Sequence, residues 1–245
     1  MTTIPRDVGE AINLGYSFNR ATAEFAGLIN RHFAGFRIVT IVKDLDRLLL
    51  PHISLPATKE IQLTDPPPEM KVLFHALEPA DRDKSLYVSR IFRYNGAKLI
   101  VDHEYLVLPK SSRGQGLGEK VLAAFLEQYQ NMNVKEIRVW AGLEDGGAVW
   151  AKVGFKAFYR AEMQNILDVA SVSMGGSAEL ALAQALFDAY YGAEPGGNAF
   201  PIEDWVNIPG MEPVLKLQTT NWHGWIDLTN TEDLRNFIKY AGSKN

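Results

Sequence analysis

The stretch Leu106-Val107-Leu108-Pro109-Lys110-Ser111-Ser112-Arg113-Gly114-Gln115-Gly116-Leu117-Gly118-Glu119-Lys120 decides how this chain is read. An apolar run stops at Pro109, which has no amide to donate and so breaks a strand ladder. A short polar loop leads to glycines at 114, 116 and 118, and then Leu117, Val121, Leu122, Phe125, Leu126 and Tyr129 recur at helical spacing. The spacing predicts a helix over 117–129 that buries this stripe and leaves its first amides free. Those amides and the turn before them form a concavity for an anion, for which a pyrophosphate has the right shape. The glycines allow the backbone to approach closely, and Arg113 adds a charged donor.

Other glycine motifs fit less well. A dinucleotide fingerprint needs a small residue three after Gly116, where Glu119 stands, and a Walker loop needs Gly-Lys-Ser/Thr where the chain reads Glu119-Lys120-Val121. A tight strand-to-helix turn with no ligand is the plain alternative, and the neighbouring elements weigh against it. Upstream, strands are predicted over 71–77, 86–94 and 97–109, and Asn95-Gly96 signals a hairpin between the last two. Downstream follow a strand over 135–141, a glycine-started helix ending at Gly154, and a β-like run over 155–159.

Farther out, 7–33 reads as helical and closes near Gly35, while 38–42 reads as a short strand followed by a helical turn. Pro51, Pro56 and Pro66-Pro67-Pro68 mark 51–69 as a linker or arm. Beyond the middle, 162–174 and 178–191 read as helices separated by Gly175-Gly176. A strand over 226–228 and a final helix opened by Thr229-Asn230-Thr231 complete the chain. The expected domains are a helical N-terminal extension with an arm over 1–69, a core over 70–160, and a helical and strand extension over 161–245.

The 245 residues are 47% hydrophobic and 22% charged, with a formal net charge of -4, which suits an ordinary folded chain and gives no global field for nucleic acid or an anionic membrane. Neither nucleic acid nor membrane is an expected partner. Cysteine is absent, which removes disulfides, thiolate metal sites and a cysteine nucleophile. The histidines at 32, 52, 75, 103 and 223 contain no i, i+4 pair, so no metal is expected. No secretory leader or membrane-length apolar run is visible, making the cytoplasm the expected location.

Arg113-Gly114-Gln115-Gly116-Leu117-Gly118 matches the Arg/Gln-x-x-Gly-x-Gly/Ala signature, and the chain resembles the GNAT superfamily of N-acetyltransferases. Val149-Trp150-Ala151-Lys152-Val153-Gly154-Phe155 looks like the late helix of that fold entering its Gly-Phe turn; together the resemblance covers about 70–160. It implies an α/β (α+β) fold: a mixed, mostly antiparallel twisted sheet flanked by helices and splayed at the acyl-CoA site, with additions at both ends. It also implies acetyl-CoA as cosubstrate, its pyrophosphate on residues 113–118 and its pantetheine arm on the main chain of Leu106, Val107 and Leu108.

Amine acylation needs a neutral nucleophile, so a base must take a proton from the ammonium. In this fold a carboxylate on the strand before the turn often serves. Strand alternation puts Asp102, Glu104, Leu106 and Leu108 on one face and His103, Tyr105 and Val107 on the other, which makes Glu104 the first candidate and Asp102 the second. Solvent-facing strand carboxylates are the alternative reading. The chain departs from the family where a tyrosine usually protonates the leaving thiolate: Trp150 stands there, and Tyr159 is the substitute candidate. The usual loop asparagine is replaced within Leu143-Glu144-Asp145-Gly146-Gly147. Phe200, Trp205, Trp222 and Trp225 read as core rather than as a base-stacking platform, and Glu144-Asp145 and Glu203-Asp204 as solvated loop charge or as attraction for a cationic amine.

Two function classes follow. One is transfer of an acetyl group from acetyl-CoA to an amine of a protein, peptide or small molecule, including a delivered effector that modifies host proteins; the other is a GNAT-like domain reused as an acyl-CoA-binding regulatory or interaction module.

Overall fold

Ile38, Ile41, Val42, Leu45, Leu48 and Leu49 are all buried, and their i, i+3, i+4 spacing explains why 38–49 is one helix rather than a strand and a turn. Five β-branched residues, Ile38 to Val42, cost little propensity beside the apolar area such a stripe removes from water. The computed structural model describes residues 2–79, 81–143 and 145–242. The chain packs as two units, Met1–Lys135 with Ile238–Asn245, and Glu136–Phe237.

In the first unit the run 7–33 is two helices, α1 (Pro5–Asn13) and α2 (Thr22–His32), with a two-residue strand β1 (Ser17–Phe18) between them. Gly15 adopts φ 86 just after α1, a left-handed conformation that glycine takes at little cost and that ends the helix. Helix α3 (Ile38–Leu49) follows. The expected arm instead contains a strand: β2 (Thr58–Thr64) pairs antiparallel with β3 (Glu69–Ala76), from Thr58↔His75 to Thr64↔Glu69. Its alternation buries Ile61 and Leu63, and the three prolines occupy the hairpin loop, where no ladder amide is needed.

β3 pairs with β4 (Leu86–Asn95), and β4 with β5 (Lys98–Val107), continuing the expected antiparallel meander; β1 joins β2 in parallel. The β4–β5 turn is Gly96-Ala97, flanked by the pair Asn95↔Lys98, and only Gly96 takes a positive φ. Helix α4 (Leu117–Met132) buries the whole predicted stripe, with Phe125 and Tyr129 fully enclosed.

The second unit contains a small antiparallel sheet in which β8 (His223–Asp227) lies between β6 (Glu136–Trp140) and the two-residue β7 (Lys156–Ala157). Helix α5 (Gly146–Val153) ends at Gly154, φ 94, as predicted. Helices α6 (Arg160–Met174), α7 (Ala178–Ala193), α8 (Glu203–Val206) and α9 (Met211–Leu215) follow before β8, and α10 (Thr231–Gly242) begins after Asn230, whose side chain accepts from the amides of Glu232 and Asp233. Phe200, Trp205 and Trp222 are fully buried, and Trp205 Nε1 donates to Ala183 O at 3.0 Å, so these rings form core. Trp225 is partly exposed and donates to Asn198 O. The fold is therefore mixed α/β, with mostly antiparallel strands flanked by helices.

Candidate functional site

The glycine turn belongs to the first unit and is built by β5 and α4. After Pro109 the residues Lys110–Ser112 make one 3-10 turn, then Gly114 takes φ 71 and Gly116 takes φ 79 as the N-cap of α4. Glycine is favoured at these two positions because an L side chain there brings its Cβ too close to the following carbonyl oxygen. Gly118 is different: a Cβ on it would meet Leu108 Cδ1 at 3.7 Å and Leu106 Cδ2 at 4.0 Å, which is ordinary contact.

The N-cap Gly116 has no side chain to cap α4, so the cap residue itself satisfies none of the helix's first amides. Arg113 folds back and its Nε donates to Leu108 O at 3.1 Å; Gln115 Nε2 donates to Ser111 O at 2.6 Å. These bonds hold the loop in shape, and the one from Arg113 engages the Leu108 carbonyl that was expected to face a pantetheine arm. A further restraint escaped sequence reasoning: buried Ser112 bonds His52 Nδ1 through Oγ at 2.9 Å, tying the turn to the segment after α3. Nothing in the sequence links residues 60 positions apart.

β5 breaks the alternation on which the face assignment rests. Tyr105 lies opposite Ser89 and His103 opposite Arg90, so Glu104 is an extra residue in a β-bulge. Opposed residues share a face, which places Asp102 and Tyr105 together and His103 with Leu106 on the other side. The predicted grouping of Leu106 with Asp102 is thus corrected. Contacts agree: His103 Nε2 bonds Tyr129 Oη of α4 at 2.7 Å, Leu106 lies beside Gly118 of α4, and Tyr105 packs edge-on against Tyr87 at 4.7 Å.

Arg90 holds the bulge from beneath. It is fully buried, its Nη1 donates at 2.7 Å to both Ser89 O and Tyr105 O, and its guanidinium lies 5.2 Å from the Phe125 ring centroid. A charged residue on a strand reads as surface in sequence, so this one was missed. Burial lowers the pKa of Arg90; burial and the nearby Arg90 charge hold His103 well below the ordinary histidine value, so its ring is neutral.

Glu104 faces the open side, a third exposed, with Lys71 Nζ at 2.7 Å and Ser89 Oγ donating at 2.7 Å. Burial raises its pKa, but the bonds from Lys71 and Ser89 together with the Lys71 charge outweigh it and hold the carboxyl below its usual value. Asp102 is paired with Arg93. Both candidate bases thus carry a cationic partner, and Glu104's partners weaken it as a proton acceptor.

In the second unit Trp150 is buried and packs edge-on against Phe155 at 5.2 Å, which makes it core. Tyr159 is half exposed beside Phe158 and His223. Glu203 and Asp204 lie in the first turn of α8, Asp145 is exposed, and Glu144 lies outside the described residues. Searches among family models, characterised proteins and solved structures find no match to this chain. No described helix is long and apolar enough to cross a membrane, and the described residues contain no cluster of three or more metal-type ligands.

Proposed function

We propose that this chain is an N-acetyltransferase that moves the acetyl group of acetyl-CoA to a primary amine of a protein, peptide or small molecule. One observation carries the reading: Arg113-Gly114-Gln115-Gly116 leads into α4 through two left-handed glycines, and α4 starts with no side-chain cap. That arrangement offers the backbone of the turn and the positive end of a 16-residue helix to a pyrophosphate, and the Arg113 guanidinium would join by exchanging its present partners for a phosphate oxygen. The pantetheine arm would take its hydrogen bonds from the main chain of Leu106 and Val107, with Leu108 joining if Arg113 turns from its carbonyl to a phosphate. Glu104 would polarise the amine or a water beside it, and Tyr159 is the group offered for the leaving thiolate.

The second reading, an acyl-CoA-binding module without efficient transfer, is favoured by one feature: the indole of Trp150 sits where a tyrosine acid usually stands. Thiolate release with an amine panel separates the two. A chain without cysteine has no background thiol, so a thiol-reactive dye reads free CoA directly. Transferase activity gives amine-dependent CoA release and a product 42 Da heavier by mass spectrometry, about the mass of an acetyl group replacing hydrogen; binding of acetyl-CoA with no release for any amine supports the module, and no binding removes both.

A further inference from the structure

At one end of the second unit's sheet, where β6 finishes and β8 begins, Trp140 and His223 lie directly opposite each other. Glu162, in the first turn of α6, clamps the histidine twice: one carboxylate oxygen accepts the His223 main-chain N–H at 2.7 Å, and the other lies 2.6 Å from Nδ1. An ionised carboxylate can only accept, so Nδ1 carries the proton and the lone pair of the neutral ring sits on Nε2. Nε2 makes no hydrogen bond among the described residues, and the side chain is 50% exposed. Tyr159 meets the imidazole edge-on at 5.4 Å, and Trp140 lies near-parallel to it at 6.5 Å; each of these two large rings is 49% exposed.

A histidine oriented by a carboxylate, with its second nitrogen open, is the arrangement of a general base. Two exposed aromatic rings beside it supply an apolar wall for an alkyl stem and π faces for a cation. An anion fits poorly, because the nearest formal charge is Glu162; on the same face Arg138 is already paired with Glu136. Glu104 is less suited to taking a proton, since Lys71 and Ser89 lower its affinity for one.

We propose that His223, held by Glu162 and flanked by Trp140 and Tyr159, is a binding and proton-accepting site for a primary alkylammonium. The ammonium donates to Nε2; one N–H bond of the ammonium breaks, an Nε2–H bond forms, and the imidazolium is stabilised by Glu162 while the amine is left neutral with a free lone pair. This deepens the acetyltransfer reading and rests on it for the use of that lone pair.

The test has a binding arm and a kinetic arm. In wild-type protein with isotope-labelled histidine, n-butylamine and Nα-acetyl-lysine amide should saturably shift the His223 ring resonances, whereas butyrate should not; a His223 ring unmoved by both amines overturns the site. In turnover, His223→Gln should lower kcat/KM for the amine by about 100-fold or more with the acetyl-CoA thermal shift unchanged. Trp140→Ala should raise KM for the amine more than it lowers kcat. A His223→Gln loss below about threefold overturns the catalytic role. Absence of acetyl-CoA binding and of CoA release in wild type counts against the acetyltransfer reading alone, because the amine-induced shift is read without cofactor.

Discussion

Replacing Gly116 and Gly118 separately with alanine should move stability in opposite directions, although the two residues are neighbours in one motif. Gly116 holds φ 79, where an L residue costs about 1–2 kcal/mol. At about 2–4 °C per kcal/mol for chains of this size, Gly116→Ala lowers the melting temperature by about 2–8 °C. Gly118 is the second residue of α4, with an ordinary φ and room for a methyl against Leu106 and Leu108. Gly118→Ala removes backbone freedom from the unfolded chain and adds apolar contact, so it should raise melting by up to about 4 °C. The new Cβ of Gly118→Ala points at the leucines, so acetyl-CoA binding survives it. The strain in Gly116→Ala is released by reshaping the turn, and binding is lost. Differential scanning calorimetry with and without acetyl-CoA measures both. Destabilisation by Gly118→Ala, or a Gly116→Ala protein as stable as wild type, would refute the conformational argument.

Two further perturbations test the electrostatics around the bulge. Glu104 has its pKa lowered in the fold, so its ion pair stabilises above the ordinary carboxylate range and is lost as pH falls through the folded value; Glu104→Gln should melt lower than wild type near pH 7 and converge with it in acid, and a constant difference across pH contradicts the pairing. His103 is held neutral, with its pKa depressed below 6.5, so wild-type stability should fall as pH drops below that value because the unfolded chain binds the proton first. His103→Gln, which keeps a polar partner for Tyr129, should flatten that acid dependence, and an unchanged pH slope in denaturant titrations would show that His103 does not supply it.

Elements whose pattern is local were legible. The α4 stripe, the β3–β5 meander and the helix ending at Gly154 each follow from periodicity together with a glycine or proline marker. Misreadings arose where a local cue competed with burial. Ile38–Val42 suggested a strand because β-branched residues favour one, yet the stripe continuing to Leu49 outweighs that preference. The prolines at 66–68 suggested an arm because they forbid regular structure, but they forbid it only where they stand, and the alternating Ile61 and Leu63 lie just before them. The site was legible in its turn and illegible in its supports. Strict alternation along β5 fails at a one-residue bulge, which depends on the partner strand and on a buried Arg90 that hydropathy assigns to the surface. The His52–Ser112 and His223–Glu162 bonds join residues 60 and 61 positions apart, beyond the reach of any spacing rule.

The central claim is that residues 113–118 receive the pyrophosphate of an acyl-CoA, and calorimetric melting across an acetyl-CoA titration tests it most directly. A ligand that binds only the folded chain adds about 2.7 kcal/mol at a hundredfold excess over Kd, or about 5–11 °C at this chain length. The account predicts a concentration-dependent rise of that size in wild type and in Gly118→Ala, and none in Gly116→Ala. Melting that stays constant up to millimolar acetyl-CoA, or a rise that Gly116→Ala retains in full, would contradict it.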